Sequence, residues 1–371
     1  MTQTNHTTIA IAAGGTGGHL FPAQAVAELL LEKGYGVVLL TDERGQKIAP
    51  NFPANITHVL PSGGLAGVSL FKRLGSAMQL AWGTFKARRL LKSIKPGIVI
   101  GFGGYPSVPP MLAAKSLGIP SLLHEQNAFI GKANRLLAKF CDQVALPFEP
   151  ANMKGLTAEA KQKCFVAGNP VRKAFQSIRP QTNDADGRLN LLVLGGSLGA
   201  HVMSQEVPKA ISLLDESQQQ LLTIVQQARG EDLQLVEEAY EGLNLTAVVR
   251  DFFDNVDELI ADSDLLISRA GASTVAEITT AGRASILVPY PFAADDHQTQ
   301  NATALANNGA AILVPQPEFT AEFLTAKISE CLNNKQALVD MGQRARALAF
   351  PDAAHLIADA TIRLIKKESA S

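Results

Sequence analysis

The chain has 371 residues, 46% hydrophobic and 18% charged, with a formal net charge of −1. That balance excludes a disordered or fibrous protein and leaves room for two globular domains. The three cysteines, Cys141, Cys164 and Cys331, lie far apart and form no metal-binding or disulfide pattern, so a reducing compartment is expected. The N-terminal MTQTNHTT lacks a basic-then-apolar leader, and no apolar run reaches the roughly 18 residues that span a bilayer, so a soluble or peripheral protein is expected.

The first element is marked by IAIAAGGTGGHLFP at 9–22. Ile9 to Ala13 reads as a buried strand, Pro22 suits the first turn of a helix, and Val26, Leu29, Leu30 and Lys33 follow at helical spacing before a capping Gly34. The cluster Gly14, Gly15, Thr16, Gly17 and Gly18 thus lies between a strand and a helix N-terminus, where amides and the helix dipole favour an anion. A plain tight turn is the alternative. The spacing fails G-x-G-x-x-G at its third glycine and lacks a Walker lysine. Asp42, after VVLLTD, can still imitate the ribose-binding acid of a dinucleotide site, which keeps an oxidoreductase reading open.

Between Glu43 and Glu125 there is no acidic residue, while Arg44, Lys47, Lys72, Arg73, Lys86, Arg88, Arg89, Lys92, Lys95 and Lys115 fall inside that stretch. Such a block points to an anionic partner. Within it, Leu70, Phe71, Leu74, Met78, Ala81, Trp82 and Phe85 fall on one helical arc of about 120°. Most of that arc is expected to pack on the sheet. Phe71 and Trp82, with Lys72, Arg73, Lys86 and Arg89, can dip into an anionic membrane surface. Nucleic acid is not expected as a partner, because aromatics are few and no nucleic-acid motif accompanies the charge.

Further strands are expected at ITHVL, GIVIGF, SLLHE and QVALPF. GIVIGF runs into a second glycine loop, GFGGYPS, containing Gly103, Gly104 and Tyr105, with Pro106 opening the next helix. Apolar strands separated by helices predict a parallel sheet covered on both faces. FVAGNPVRKAFQSIRPQTNDADGR reads as a linker, and the pattern then restarts with LNLLVLGGSLGA, followed by strands at LLTIVQQ, TAVVRDF, DLLISRA, ASILVPYP and AAILVPQ. The fold class is α/β, with two doubly wound Rossmann-like domains. In this class ligands sit at the carboxyl ends of strands, where all the glycine loops fall.

The segment 268–302, SRAGASTVAEITTAGRASILVPYPFAADDHQTQNA, carries the sharpest chemistry. Gly271 and Ser273 or Thr274 can open a helix whose amides suit a diphosphate. Glu277, in the early part of that helix, can accept both hydroxyls of a ribose; a capping-box acid is the alternative. His297, Gln298 and Asn301 follow a strand and can hydrogen-bond sugar hydroxyls.

GGTGGHLFPA, GFGGYPS, LHEQNA, GNPVR, GGSLGA, SRAGASTVAE and DDHQTQNA, taken together and in this order, resemble the GT-B glycosyltransferases of family 28. The likeness runs closest to the peptidoglycan N-acetylglucosaminyltransferases that convert lipid I to lipid II. It implies two domains facing a central cleft. Residues 1–170, completed by a C-terminal helix 351–371, would take the acceptor and meet the membrane; residues 171–350 would bind the sugar nucleotide. It further implies UDP-N-acetylglucosamine as donor, undecaprenyl-diphosphate lipid I as acceptor, and a peripheral location on the cytoplasmic face of the bacterial inner membrane.

On this chain the resemblance implies Glu277 at the ribose and the backbone near Phe253 at the uracil. Ser197 and the helix start Ala272, Ser273, Thr274, Val275, Ala276 would meet the diphosphate, with Arg172 adding positive charge. Gln298 and His297 would read the sugar. Thr16, Gly17, Gly18 and Asn127 would close over the donor, while Gly14, Gly15, Gly103, Gly104 and Tyr105 would receive the acceptor diphosphate. The family often has Gln where Leu198 stands, so no side-chain contact is expected there. His19 is the expected base for the acceptor 4-hydroxyl, Glu125 its rival, and a structural role for His19 the alternative. No cofactor and no bound metal are expected, since Asp184-Ala185-Asp186 falls in the linker. A non-catalytic UDP-sugar-binding protein and a UDP-sugar epimerase of the same fold stand as rival readings; the epimerase would not need the basic apolar helix.

Overall fold

The computed structural model describes residues 7–61, 70–149, 155–182, 187–196 and 200–369, with the side chains of 70–77 and 368–369 left aside. The chain divides into two compact units, Met1–Arg172 with Phe350–Ser371, and Lys173–Ala349.

The first unit is built on β1 (Thr8–Ala12), β2 (Gly36–Thr41), β3 (Ile56–Val59), β4 (Ile98–Gly101), β5 (Ser121–His124), β6 (Gln143–Leu146) and β7 (Cys164–Val166). They form one seven-stranded sheet in the order β3-β2-β1-β4-β5-β6-β7. Every pairing is parallel; β1, for example, aligns Ile9 with Val37 on one side and with Ile98 on the other. Period-two alternation sends the central strand's side chains to two separate cores. Ile9 and Ile11 pack with Leu20, Val26 and Leu30 of α1 (Gly17–Glu32), and Ala10 and Ala12 with Ala87 and Leu91 of α3 (Leu70–Ile94) and Met111 of α4 (Val108–Leu117). A strand buried on both faces has no room for a polar face, which is why the runs are continuously apolar. β7 overlaps the start of the segment read as a linker. Its short apolar run gives way at once to Gly168-Asn169-Pro170, turn formers that hid it.

The C-terminal helix Ala353–Ser369 belongs to this first unit. Ile357, Ala358 and Ala360 enter the α1-side core, Lys33 meets Asp359 at 3.6 Å, and Ile365 lies against Gly97. Ile357 is fully buried, so truncation to Ala is worth about 2–5 kcal/mol.

Helix α3 packs differently from its sequence pattern. Met78, Trp82 and Phe85 are 70%, 54% and 57% exposed, so this part of the apolar arc does not face the sheet. The buried positions are Gly83, Ala87 and Leu91. Gly83 explains the rotation: a Cβ there would stand 2.5 Å from the Pro61 carbonyl oxygen and 3.3 Å from Pro109 of α4. Small residues let the helices approach closely, and the large apolar side chains are left outside.

The second unit repeats the plan with β8 (Leu189–Leu194), β9 (Leu222–Gln227), β10 (Thr246–Arg250), β11 (Leu265–Ser268), β12 (Ala284–Leu287) and β13 (Ile312–Leu313) in the order β10-β9-β8-β11-β12-β13, all parallel. In each sheet the strand order reverses beside the first strand. Loops diverge there to opposite faces and leave a crevice at the carboxyl edge.

Candidate functional site

In the first unit the crevice lies between the loops after β1 and β4. Gly15 takes φ +79° and donates its N–H to Asp42 Oδ1 at 3.0 Å. The same oxygen caps α2 (Glu43–Ile48) through Gly45 N–H at 2.9 Å. Asp42 is therefore committed to holding the glycine loop and a helix start, and the dinucleotide reading loses its ribose acid. Helix α1 begins at Gly17 on an extended Thr16 N-cap, so Pro22 lies inside the helix and not in its first turn. The two glycines after Thr16 adopt helical geometry themselves, which puts His19 on the helix.

His19 joins the two loops. Its Nδ1 is 2.9 Å from Thr16 Oγ1, and its ring lies over Gly103 and Gly104. At Gly103, φ is +84°, and a Cβ would stand 3.0 Å from Asn134 Nδ2 and 3.2 Å from His19 Cδ2. Only glycine meets both demands. Tyr105 then opens a short 3-10 turn that carries Pro106 and leads into α4.

Beside this loop stands Glu125, 1% exposed. Its Oε1 accepts from Gln126 N–H (2.9 Å), Asn127 N–H (2.9 Å) and Asn127 Nδ2 (3.2 Å). Its Oε2 accepts from Gly131 N–H (3.0 Å) and from Asn134 Nδ2 (2.9 Å) of α5 (Lys132–Leu137). Five donors on one carboxylate shape the 125–131 loop. His124, fully buried, is 3.1 Å from the Gly168 carbonyl through Nε2 and 3.1 Å from Gln126 Nε2 through Nδ1. A carbonyl accepts and an amide nitrogen donates, so the ring is neutral with its proton on Nε2. Desolvation pushes its pKa down to about 4, opposed by the Gly168 bond and helped by nearby His19. Gln126 Nε2 also reaches the Phe102 carbonyl, and Asn169 Nδ2 the Gln126 carbonyl, which ties GNPVR to the site. Arg172, at the end of that segment, lies over the Phe21 ring of α1 at 4.8 Å. Sequence reasoning passed over His124, Gln126, Asn134 and Asn169; polar residues following an apolar strand were the available signal.

In the second unit Gly271 caps the helix Ala272–Ala281 without a side-chain bond. Ala272, Ser273, Thr274 and Val275 form its first turn. Glu277, 9% exposed, sits one turn further in; with Gly271 as the N-cap it is not at N3, and the capping-box alternative does not hold. After β12 the chain passes through Asp295 and Asp296, both left-handed at φ 54° and 51°, before His297 opens the helix His297–Ala306. Such φ values in non-glycine residues store strain, which concentrates where a loop serves a ligand. Gln298 Oε1 accepts from Tyr290 N–H at 2.8 Å, which sets the amide so that its other end is the NH₂ donor. His297 Nδ1 lies 2.7 Å from the Ala294 carbonyl and so carries the proton. Asn301, 2% exposed, donates to the Ala270 carbonyl at 3.2 Å and braces the loop before the helix Ala272–Ala281. Arg269, which no sequence pattern singled out, donates to the Val288 and Pro289 carbonyls and to Gln316 Oε1, with its guanidinium 5.5 Å from the Tyr290 ring. Phe253 follows β10 and is buried. Ser197, Leu198 and the Asp184–Asp186 stretch lie outside the described residues, as do the side chains of Phe71, Lys72 and Arg73.

Two doubly wound parallel sheets, each with helix starts at its carboxyl edge and the first with glycine loops at its switch point, define the class of paired Rossmann-like α/β proteins. Family models place the class more narrowly: residues 9–146 match the glycosyltransferase family 28 N-terminal domain and residues 190–357 its C-terminal domain. A Paramagnetospirillum magneticum protein named UDP-N-acetylglucosamine–N-acetylmuramyl-(pentapeptide) pyrophosphoryl-undecaprenol N-acetylglucosamine transferase is 45% identical over 97% of this chain and 98% of its own. A Rhodospirillum centenum protein of the same name is 46% identical over 95% and 93%. The crystal structure of Acinetobacter baumannii MurG superposes with a TM-score of 0.75 at 33% identity, covering 97% of this chain and 99% of that one. The chain belongs to glycosyltransferase family 28, in the branch of these N-acetylglucosamine transferases. A UDP-N-acetylglucosamine 2-epimerase from Listeria monocytogenes, at 15% identity and a TM-score of 0.68, shares the fold alone.

Proposed function

We propose that this protein transfers N-acetylglucosamine from UDP-N-acetylglucosamine to the 4-hydroxyl of the muramoyl-pentapeptide of undecaprenyl-diphosphate lipid I, giving lipid II for peptidoglycan synthesis. The observation that carries this reading is identity of 45% along nearly the whole length of relatives named for that transfer. The second unit takes the donor: Glu277 the ribose, the backbone near Phe253 the uracil, the start of the helix Ala272–Ala281 with Ser197 the diphosphate, and Gln298 with His297 the sugar. With Oε1 taken by Tyr290 N–H, the NH₂ of Gln298 serves as a donor to sugar hydroxyl oxygens. The first unit takes the acceptor diphosphate on Gly14, Gly15, Gly103, Gly104 and Tyr105. Thr16, Gly17, Gly18, Asn127 and Arg172 contribute from the first unit to the donor's phosphates and sugar.

The reaction is a single displacement. The acceptor oxygen bonds to the anomeric carbon as the bond to the UDP oxygen breaks, its electron pair leaves with UDP, and the anomeric centre inverts. His19 Nδ1 lies 2.9 Å from Thr16 Oγ1, and in the tautomer with its proton on Nδ1 the ring takes the hydroxyl proton at Nε2. Glu125, with five donors on its carboxylate, serves as a positioning residue for the Asn127 loop. Helix amides and Arg172 stabilise the departing charge.

The acceptor is a lipid, and no helix among the described residues is long and apolar enough to cross a membrane. The exposed face of α3 suits peripheral binding on the cytoplasmic side. Trp82 and Phe85 stack at 5.7 Å, Lys86 Nζ lies 5.3 Å from the Trp82 ring, and Met78 is exposed beside them. Two acceptors test the account together. His19→Ala should lower kcat about 10²–10⁴-fold with both a soluble lipid I analogue and full-length lipid in anionic vesicles. Trp82→Ser with Lys86→Gln should lose vesicle activity and keep the soluble reaction. Equal loss of both by the surface variant overturns the membrane role; near-normal kcat in His19→Ala overturns the base.

A further inference from the structure

We propose that Arg269 is a positioning residue for Gln298, so that it serves the reading of the donor's sugar and not the holding of its diphosphate. The proposal rests on the reading of Gln298 as a sugar contact and adds the residue that sets it. Arg269 follows β11 and stands two residues before Gly271, the N-cap of the helix Ala272–Ala281. An arginine in that place invites a phosphate-binding role. Its guanidinium is instead engaged within the protein. Nη1 donates to the Val288 and Pro289 carbonyls, at 3.2 Å each, and Nη2 to Gln316 Oε1 at 2.7 Å. The guanidinium carbon lies 5.5 Å from the centroid of the Tyr290 ring.

The turn after β12 depends on this outside support. Residues 288–291 read V-P-Y-P, and the two prolines have no N–H. Across 289–291 Tyr290 N–H is therefore the one backbone donor, and it goes to Gln298 Oε1 at 2.8 Å. The carbonyls of Val288 and Pro289 take their side-chain donor from Arg269. One side chain thus grips the turn at its carbonyls and another at its N–H. Phe292 meets the Tyr290 ring edge-on, with centroids 5.7 Å apart and planes at 70°. With Tyr290 N–H fixed in place, Gln298 Oε1 is fixed, and so is the direction of its NH₂. Without the guanidinium the turn is released, and Gln298 follows Tyr290 away from its set position. The fork is the working feature: an ammonium on a flexible stem does not hold both carbonyls and Gln316 in one geometry.

Calorimetric titration of UDP and of UDP-N-acetylglucosamine into the full chain separates the two roles. In Arg269→Gln and Arg269→Lys, UDP affinity should stay within about twofold of the wild type, while affinity for the sugar nucleotide falls roughly tenfold with the loss of the sugar's hydrogen bonds. Gln298→Ala should show the same pattern. The double variant, Arg269→Gln with Gln298→Ala, should bind no more weakly than Gln298→Ala alone, because a positioning residue acts only through its target. Gln316→Ala keeps the guanidinium and frees one of its arms, so it should give a smaller loss of the same kind. Equal loss of both ligands in Arg269→Gln, with UDP binding restored by Arg269→Lys, makes Arg269 a phosphate ligand and overturns the proposal. Unchanged binding of the sugar nucleotide by folded Arg269→Gln, or additive losses in the double variant, overturns it as well. Should Arg269→Gln not fold, Gln316→Ala carries the test, and wild-type binding by that protein overturns the proposal. Normal UDP-N-acetylglucosamine binding by Gln298→Ala overturns the reading of Gln298 itself and this inference with it.

Discussion

Glu125→Gln separates a base from a positioning residue, and the structure sets its cost. The Gln carbonyl can keep the three donors now on Oε1, Gln126 N–H, Asn127 N–H and Asn127 Nδ2. Its NH₂ then faces the two donors now on Oε2, Gly131 N–H and Asn134 Nδ2. Asn134 can adapt by rotating its amide, because its Oδ1 is buried without a hydrogen-bond partner among the described residues. Gly131 N–H cannot adapt, and one lost charge-assisted bond costs about 1.5–3 kcal/mol. For a unit of this size that lowers Tm by roughly 3–12 °C. Asn134→Asp alone sets a second carboxylate against Glu125 Oε2, a repulsion that Glu125→Gln removes, so the double variant should be more stable than the sum of the single changes predicts. Differential scanning calorimetry of the four proteins reads both effects. A Glu125→Gln protein that melts like the wild type yet loses about 10²–10⁴-fold in kcat would refute the positioning argument and make the carboxylate the base.

Other consequences can be read as directly. His124 is held neutral with its pKa lowered to about 4, so the folded state is penalised once the unfolded histidine gains a proton. Stability from this group is complete above about pH 6.5 and falls by roughly 1.4 kcal/mol per pH unit towards pH 4; in urea titrations His124→Gln should flatten that limb, and an unchanged slope contradicts the assignment. Gly103→Ala combines positive φ with a Cβ against Asn134 and His19, so a loss of about 1–3 kcal/mol and a marked fall in kcat are expected; wild-type melting and turnover would show that the loop relaxes. Glu277→Ala should raise the donor KM by the loss of about 1.5–3 kcal/mol while the acceptor KM holds; unchanged donor kinetics in a folded variant removes Glu277 from the ribose.

The strands of both sheets were legible except β7, because central parallel strands are continuous apolar runs with glycine loops at their ends. β7 was hidden because Gly168-Asn169-Pro170 follow it at once and made the stretch read as linker, whereas the still shorter edge strand β13 lies in a run of five apolar residues, 310–314. The turn of α3 was not legible, since helical spacing ranks side chains by apolarity and takes no account of Gly83 letting Pro109 approach. In the site, the glycine loops and His19 stood out as motifs. The network around Glu125 did not, because it joins His124, Gln126, Asn134 and Gly168 through three-dimensional contacts that no local spacing encodes. Asp42 misled for a related reason: a strand-end acid looks alike whether it meets a ribose or caps Gly15 and Gly45.

The proposed reaction is transfer of N-acetylglucosamine from UDP to the 4-hydroxyl of the lipid I acceptor. Its most direct measurement is the product formed from UDP-N-acetylglucosamine and a soluble lipid I analogue, with UDP release and the new anomeric linkage read in one sample by NMR. The account predicts one UDP released for each β-linked N-acetylglucosamine on the acceptor 4-hydroxyl, and loss of both in His19→Ala. Release of UDP without a disaccharide, epimerisation at the sugar's C2, or an α-linked product would contradict it.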